Sequence, residues 1–143
     1  MIRKEYPKPR AKQPRPLFPH PCHISGRVIA GKRLGRSLGF PTANIAYGSQ
    51  ALPGNGVYCA LTYLDGVFYP SMANVGLNPT VDKDGRKKLE VHILNFDQDI
   101  YDRQVTVYFL DFIRREHRFA SVEQLSEQLK KDRETTLSMF AQF

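Results

Sequence analysis

The chain predicts a mainly β domain: a small antiparallel barrel of about six short strands, plugged or flanked by a helical segment at the C-terminus. Three observations carry this reading. Apolar residues follow period two through most of the sequence, as at 89–94, where Leu89, Val91 and Ile93 share one face and Glu90 and His92 the other. Asp65-Gly66 separates two β-rich runs, the two-residue signature of a type I′ hairpin. The period changes only near the end. There Ser121 and Gln124 have capping-box spacing, and Val122, Leu125 and Leu129 follow at intervals of three and four. A length of 143 residues suits one domain with a real core and is too short for two.

The first residues stand apart from this pattern. The formal charge is +7, but residues 1–20 alone hold Arg3, Lys4, Lys8, Arg10, Lys12 and Arg15 against Glu5, so most of the basicity belongs to the tail. Pro7, Pro9, Pro14, Pro16 and Pro19 prevent continuous helix or strand there. Residues 1–21 therefore read as a Pro/Lys/Arg-rich linker or arm, and 22–143 as the folded domain. No apolar stretch follows the basic residues, which excludes a secretory signal. Residues 37–64 contain no charged side chain, yet Pro41, Gly48, Pro53, Gly54 and Gly56 make a spanning helix untenable. A cytoplasmic protein with no membrane partner is expected. Cys22 and Cys59 have no metal-type spacing. A disulfide between them stays open on sequence grounds, and reduced thiols are the simpler reading.

The strands follow in order. Residues 24–29 form a first strand that enters a glycine-punctuated loop. Residues 57–64 are β-rich and reach Asp65-Gly66; residues 67–69 return as their partner and run towards 71–76. A flexible segment from Asn78 to the cations Arg86, Lys87 and Lys88 precedes the strand at 89–94. Residues 105–113 are apolar on both faces, which places that strand centrally or under a helix. After the capped helix a second helical stretch carries Leu137 and Phe140. No internal repeat is present.

Four groups of residues have chemistry to offer. Gly31-Lys32-Arg33-Leu34-Gly35-Arg36-Ser37-Leu38-Gly39 can bring backbone N–H groups and cations to an anion. It fails as a Walker A loop, because three residues rather than four separate Gly31 from Gly35 and Arg36 stands where Lys belongs. Taken alone it is equally a long hairpin loop. Thr42 and Asn44 come next, hard oxygen donors spaced so that an extended chain projects both to one side. Pro41 holds Phe40 extended before them, though Thr and Asn in such a setting more often stabilise turns. Glu90 is the one acid in its strand; its ordinary fate is a solvated ion pair, its functional one a base for a hydroxyl. His92 beside it is given little weight. Finally Arg114-Arg115-Glu116-His117-Arg118-Phe119 is either a solvated corner or a place where Phe119 among cations stacks on a planar ring.

The order of these signals closely resembles riboflavin kinase, in the bacterial form found as the C-terminal half of bifunctional riboflavin kinase/FAD synthetase. The resemblance rests on Gly26-Arg27-Val28, the 31–39 loop running into Phe40-Pro41-Thr42-Ala43-Asn44, and Gly56-Val57-Tyr58. It continues through Ala73-Asn74-Val75-Gly76-Leu77-Asn78-Pro79-Thr80, Leu89-Glu90-Val91-His92-Ile93-Leu94 and the 113–119 run. It covers about residues 22–140 and implies a six-stranded antiparallel Greek-key barrel with a C-terminal helical segment. It further implies a kinase that moves the γ-phosphoryl group of ATP to the riboflavin 5′-hydroxyl, giving FMN and ADP, with Mg²⁺ as cofactor. Carried over position by position, Gly31, Lys32, Gly35, Arg36, Ser37 and Gly39 would bind ATP together with Thr42 and Asn44. Those last two would also hold the metal. Glu90 would be the catalytic base, Arg114, His117 and Phe119 would bind the flavin, and the segment around 77–88 would act as a flap.

Two departures qualify the resemblance. Nothing before residue 22 suffices for a nucleotidyltransferase, so FAD synthesis is not expected of this sequence, which reads as a monomer or as part of a larger bifunctional enzyme. Tyr101-Asp102 stands where the family commonly has Tyr-Gly. The competing reading is a non-catalytic β-barrel module that binds flavin or single-stranded nucleic acid. The near-neutral body and the missing basic–aromatic stripe argue against a nucleic-acid partner.

Overall fold

Six strands and one helix form in the order β1 (Cys22–Ile29), β2 (Ala43–Ala46), β3 (Gly56–Leu64), β4 (Val67–Leu77), β5 (Lys87–Ile93), β6 (Gln104–Arg114) and α1 (Val122–Phe140). The structure, a computed structural model, describes residues 22–29, 39–77 and 86–141. The arm at 1–21, the loop residues 31–38 and most of the expected flap (78–85) lie outside the described residues. The strands close into an antiparallel barrel with spatial order β1-β2-β5-β4-β3-β6. Three consecutive strands, β3, β4 and β5, lie side by side and β6 returns to the edge of β3, which is the Greek-key arrangement.

The hairpin between β3 and β4 forms where expected. Leu64 pairs with Val67 across Asp65 (φ 50°) and Gly66 (φ 84°), and a type I′ turn requires positive φ at both positions. Beyond it β4 runs unbroken through Pro70 for eleven residues. Pro70, with no N–H to give, sits one step past the last β4–β5 pair, Ser71 with Ile93, and contributes its carbonyl to Leu94 N (2.9 Å). The four-residue strand β2 was not apparent as a strand in the sequence.

Ile24, Val28, Ile45, Tyr58, Val91 and Val107 are among the residues that fill the barrel. Thr62 and Ser71 are also fully buried, and their hydroxyls bond each other at 2.8 Å, so neither is left unsatisfied. Two register shifts against β3 bend β6. Val105, Val107 and Phe109 belong to the barrel core, while Leu110 joins Leu61 and the helix residue Phe140 in a separate cluster. The doubly apolar character of this strand thus has the expected cause, a barrel on one face and a helix on the other.

The helix is one continuous element rather than two stretches. Ser121 caps it, its hydroxyl accepting from Gln124 N (3.1 Å), while the Gln124 side chain reaches back to Ala120 N instead of the cap residue itself. Val122 in the first turn is 51% exposed, but Leu129 packs on the barrel, and the buried Asp132, Thr136 and Phe140 continue the same face at spacings of three and four. No helix among the described residues is long and apolar enough to cross a membrane. Cys59 is buried, donates to Thr136 Oγ1 (3.6 Å), and has its pKa pushed up to about 11 chiefly by burial. Both thiols are free.

The Tyr101-Asp102 departure has a conformational reading. Asp102 adopts φ 70°, a left-handed value for which glycine is the natural occupant, and its N–H donates to Val28 O (2.8 Å). Asp tolerates the position better than most residues, and its carboxylate pairs with Arg27 (3.0 Å) at the surface. Asp102→Val is expected to lower stability by about 1–2 kcal/mol, and Asp102→Gly to change it little. Urea unfolding checks both, and equal midpoints for Val and Gly would refute the assignment.

Candidate active site

Directly opposed residues in a sheet share a face, and here one row of them crosses five strands. Asn44 on β2 stands opposite Glu90 on β5, Glu90 opposite Asn74 on β4, Asn74 opposite Val57 on β3, and Val57 opposite Arg114 on β6. The neighbours Ile45, Val91, Ala73 and Tyr58 point into the core, which turns this row to the outside of the barrel. Helix α1 covers part of the same face. Its Leu129 and Leu137 pack against the buried cluster of Phe40, Met72 and Leu94.

Between helix and barrel lies a cavity of about 240 Å³. Thr42, Asn74, Glu90 and His92 line it, together with Arg114, Glu116, His117 and Phe119 from the end of β6 and the corner after it, and Leu125 and Leu129 from the helix. Two halves of one site, separated by more than twenty residues in sequence, thus face a common space.

A buried ion pair fixes the helix. Arg114 Nε lies 3.0 Å from both oxygens of Asp132, and Nη2 donates to Oδ2 at 2.8 Å. Asp132 is 1% exposed and also accepts from Gln128 Nε2 (3.0 Å). The guanidinium carbon lies 5.7 Å from the centre of the Phe119 ring, and His117 meets that ring edge-on at 4.7 Å. Arg114, expected at the flavin end, therefore faces the cavity with its charge already matched by Asp132.

Glu116 comes close to Glu90 because Gly76 lets it. A Cβ at Gly76 would overlap the Glu116 carboxylate, so only a glycine admits that carboxylate to this position. Burial raises the Glu116 pKa and the nearby Glu90 raises it further, with Arg114 opposing. Glu90 itself has Lys88 Nζ at 3.5 Å. His92 is 7% exposed and its pKa is lowered by burial, with the Pro41 carbonyl it bonds acting the other way.

The oxygen donors of the site are hard ones: the Thr42 hydroxyl, the Asn44 and Asn74 amides and the Glu90 carboxylate. Asn74 Oδ1 is buried and accepts no hydrogen bond among the described residues. Among the described residues no three His, Cys, Asp or Glu side chains gather as a metal cluster. A divalent ion at this place would need ligand oxygens, such as phosphate, to complete its shell.

Of the residues singled out in the sequence, Thr42, Glu90, Arg114, His117 and Phe119 line the one cavity, and Asn44 lies on the same row beside Glu90. Gly39 is exposed in a turn just before Phe40. Gly31, Lys32, Gly35, Arg36 and Ser37 lie outside the described residues. Asn74, His92, Glu116 and Asp132 were not assigned to the site from the sequence. The first three fall inside motifs already noted, but their proximity to Glu90 depends on strand register or on a corner fold, and Asp132 depends on which helix face is buried.

Residues 18–140 match the family model described as "Flavokinase: Riboflavin kinase". The chain belongs to the riboflavin kinase family. It is 45% identical over 116 residues to the bifunctional riboflavin kinase/FMN adenylyltransferase of Pseudomonas fluorescens, covering 81% of this chain and 37% of that protein. The corresponding Escherichia coli (strain K12) enzyme is 42% identical over 125 residues and 40% covered, so the chain spans well under half the length of these curated relatives. Among solved structures, a Streptococcus pneumoniae chain described as a macrolide-efflux protein superposes with TM-score 0.74 at 42% identity, over 81% of this chain and 38% of that one. Riboflavin kinase from Trypanosoma brucei superposes with TM-score 0.63 at 24% identity, over 85% of this chain and 81% of that one; it shares the closed-barrel fold. The riboflavin kinase family thus accounts for the barrel, its C-terminal helix and the order of the motifs.

Proposed function

We propose that this chain transfers the γ-phosphoryl group of ATP to the 5′-hydroxyl of riboflavin, forming FMN and ADP. The observation that carries the proposal is the position of Glu90. It stands between two amide side chains in the outward row and borders a cavity that His117 and Phe119 also line. In this reading Glu90 takes the proton from the ribityl hydroxyl as its oxygen attacks the γ-phosphorus, and the bond to the β-phosphate oxygen breaks to release ADP. Lys88 holds the Glu90 carboxylate in place through their ion pair. His117 and Phe119 offer edge and face contacts to the flavin, and Arg114 fixes that corner to the helix. Gly31, Lys32, Gly35, Arg36, Ser37 and Gly39 are assigned to the ATP phosphates, with residues 77–88 as the flap. Residues 1–21 are read as an arm outside the domain.

Thr42 and Asn44 fit a Mg²⁺–phosphate site, and the buried, unbonded Asn74 Oδ1 adds a third hard oxygen nearby. Mg²⁺, when bound, neutralises charge on the transferred phosphoryl group. Residues 18–140 are assigned phosphoryl transfer and not adenylyl transfer, and the work is placed in the cytoplasm, where ATP is abundant.

Incubation with riboflavin, ATP and Mg²⁺, followed by separation of the products, tests the reading. FMN and ADP in equal amounts are expected; bound but unmodified riboflavin would overturn it. Thr42→Ala is expected to raise the Mg²⁺ concentration needed for half-maximal rate about tenfold, the loss of roughly one oxygen contact. An unchanged metal requirement would remove Thr42 from the metal site.

A further inference from the structure

We propose that His92 is a positioning residue that locks residues 40–44 onto β5, and so sets the distance from the Thr42 and Asn44 oxygens to the Glu90 carboxylate. The proposal rests on the assignment of Thr42 and Asn44 to the metal–phosphate end. The ladder between β2 and β5 is very short: Ala43 pairs with Val91 and Asn44 with Glu90. Continued by one step, that register sets Thr42 opposite His92, but backbone pairing has stopped there, and Pro41 has no N–H with which to resume it.

The His92 side chain supplies the missing connection. Its Nδ1 lies 2.8 Å from Pro41 O, and since a carbonyl only accepts, Nδ1–H is the donor. The ring also packs against Phe40 at 5.2 Å between centroids, and Phe40 is 5% exposed on Met72 and Leu94. One side chain therefore grips the two residues that immediately precede Thr42. His92 shares the outward face of β5 with Glu90, two positions away, and both border the cavity. A shift of the 40–44 segment along or away from β5 would separate the phosphate-side oxygens from the base while leaving both sets of groups intact.

The test compares three variants at this position. Asn places an amide N–H near the Nδ1 position, Gln places one near Nε2, and Leu keeps volume without a donor. His92→Leu and His92→Gln are expected to lower kcat by about 10–100-fold, the scale on which small misplacements act, with riboflavin affinity by fluorescence quenching nearly unchanged. His92→Asn is expected to retain most of the turnover. Equal losses in Asn and Gln, or wild-type turnover in Gln, would overturn the proposal. Should the Leu variant fail to fold, the contrast between Asn and Gln still decides. Thr42→Ala, assayed alongside, separates the two levels: an unchanged Mg²⁺ requirement there defeats the assignment on which this role depends. A changed requirement with no Asn–Gln contrast defeats the role of His92 alone.

Discussion

Glu90→Gln is expected to lower kcat by about 10²–10⁴-fold, the usual contribution of a general base, while KM for ATP and the dissociation constant for riboflavin stay close to wild type. The amide keeps the shape of the side chain and one acceptor oxygen but cannot take a proton. The row that holds it is set by backbone pairing, with Asn44 on one side and Asn74 on the other, so the substitution does not disturb its neighbours. The variant also gives up the Lys88 ion pair, which for partly exposed groups is worth about 0–1 kcal/mol. Steady-state rates of FMN formation, with binding measured separately, check the prediction. Turnover equal to wild type would exclude Glu90 as the base and leave the site as a positioning device.

The second large effect concerns stability. Arg114→Ala strands the Asp132 carboxylate, which is 1% exposed, and breaking a buried pair from one side costs about 3–5 kcal/mol. At about 2–4 °C per kcal/mol for a chain near this size, the melting midpoint should fall by on the order of 10 °C. Replacing both partners with apolar residues, Arg114→Met together with Asp132→Leu, should recover much of the loss, because no uncompensated charge remains. A single and a double variant of equal stability would show that the pair carries no such penalty.

The fold was legible where local chemistry decides it. The Asp65-Gly66 turn, the Ser121 cap and the alternation at 89–94 each state their structure within a few residues. The strand at 43–46 did not, because its pairing partners lie far away in sequence and it is only four residues long. Val122, Leu125 and Leu129 mark the barrel-facing side of the helix by their apolar character, but its continuation through Asp132 and Thr136 is polar, and its partners Arg114 and Cys59 lie on the barrel. Of the site, Glu90, Thr42 and Asn44 stood out by residue type. His92 looked like an ordinary satisfied polar residue, which it is. The group it satisfies, the Pro41 carbonyl, gives it its interest, and only the register shows that.

The strand order has a kinetic consequence. β6, the last of the six strands in chain order, bridges the outer edges of β1 and β3, so neither edge has its neighbour until residues 104–114 are in place. Ring closure through such distant contacts is slow, and in the interval one edge each of β1 and β3 is open to other chains. Self-association during refolding should begin at those two edges.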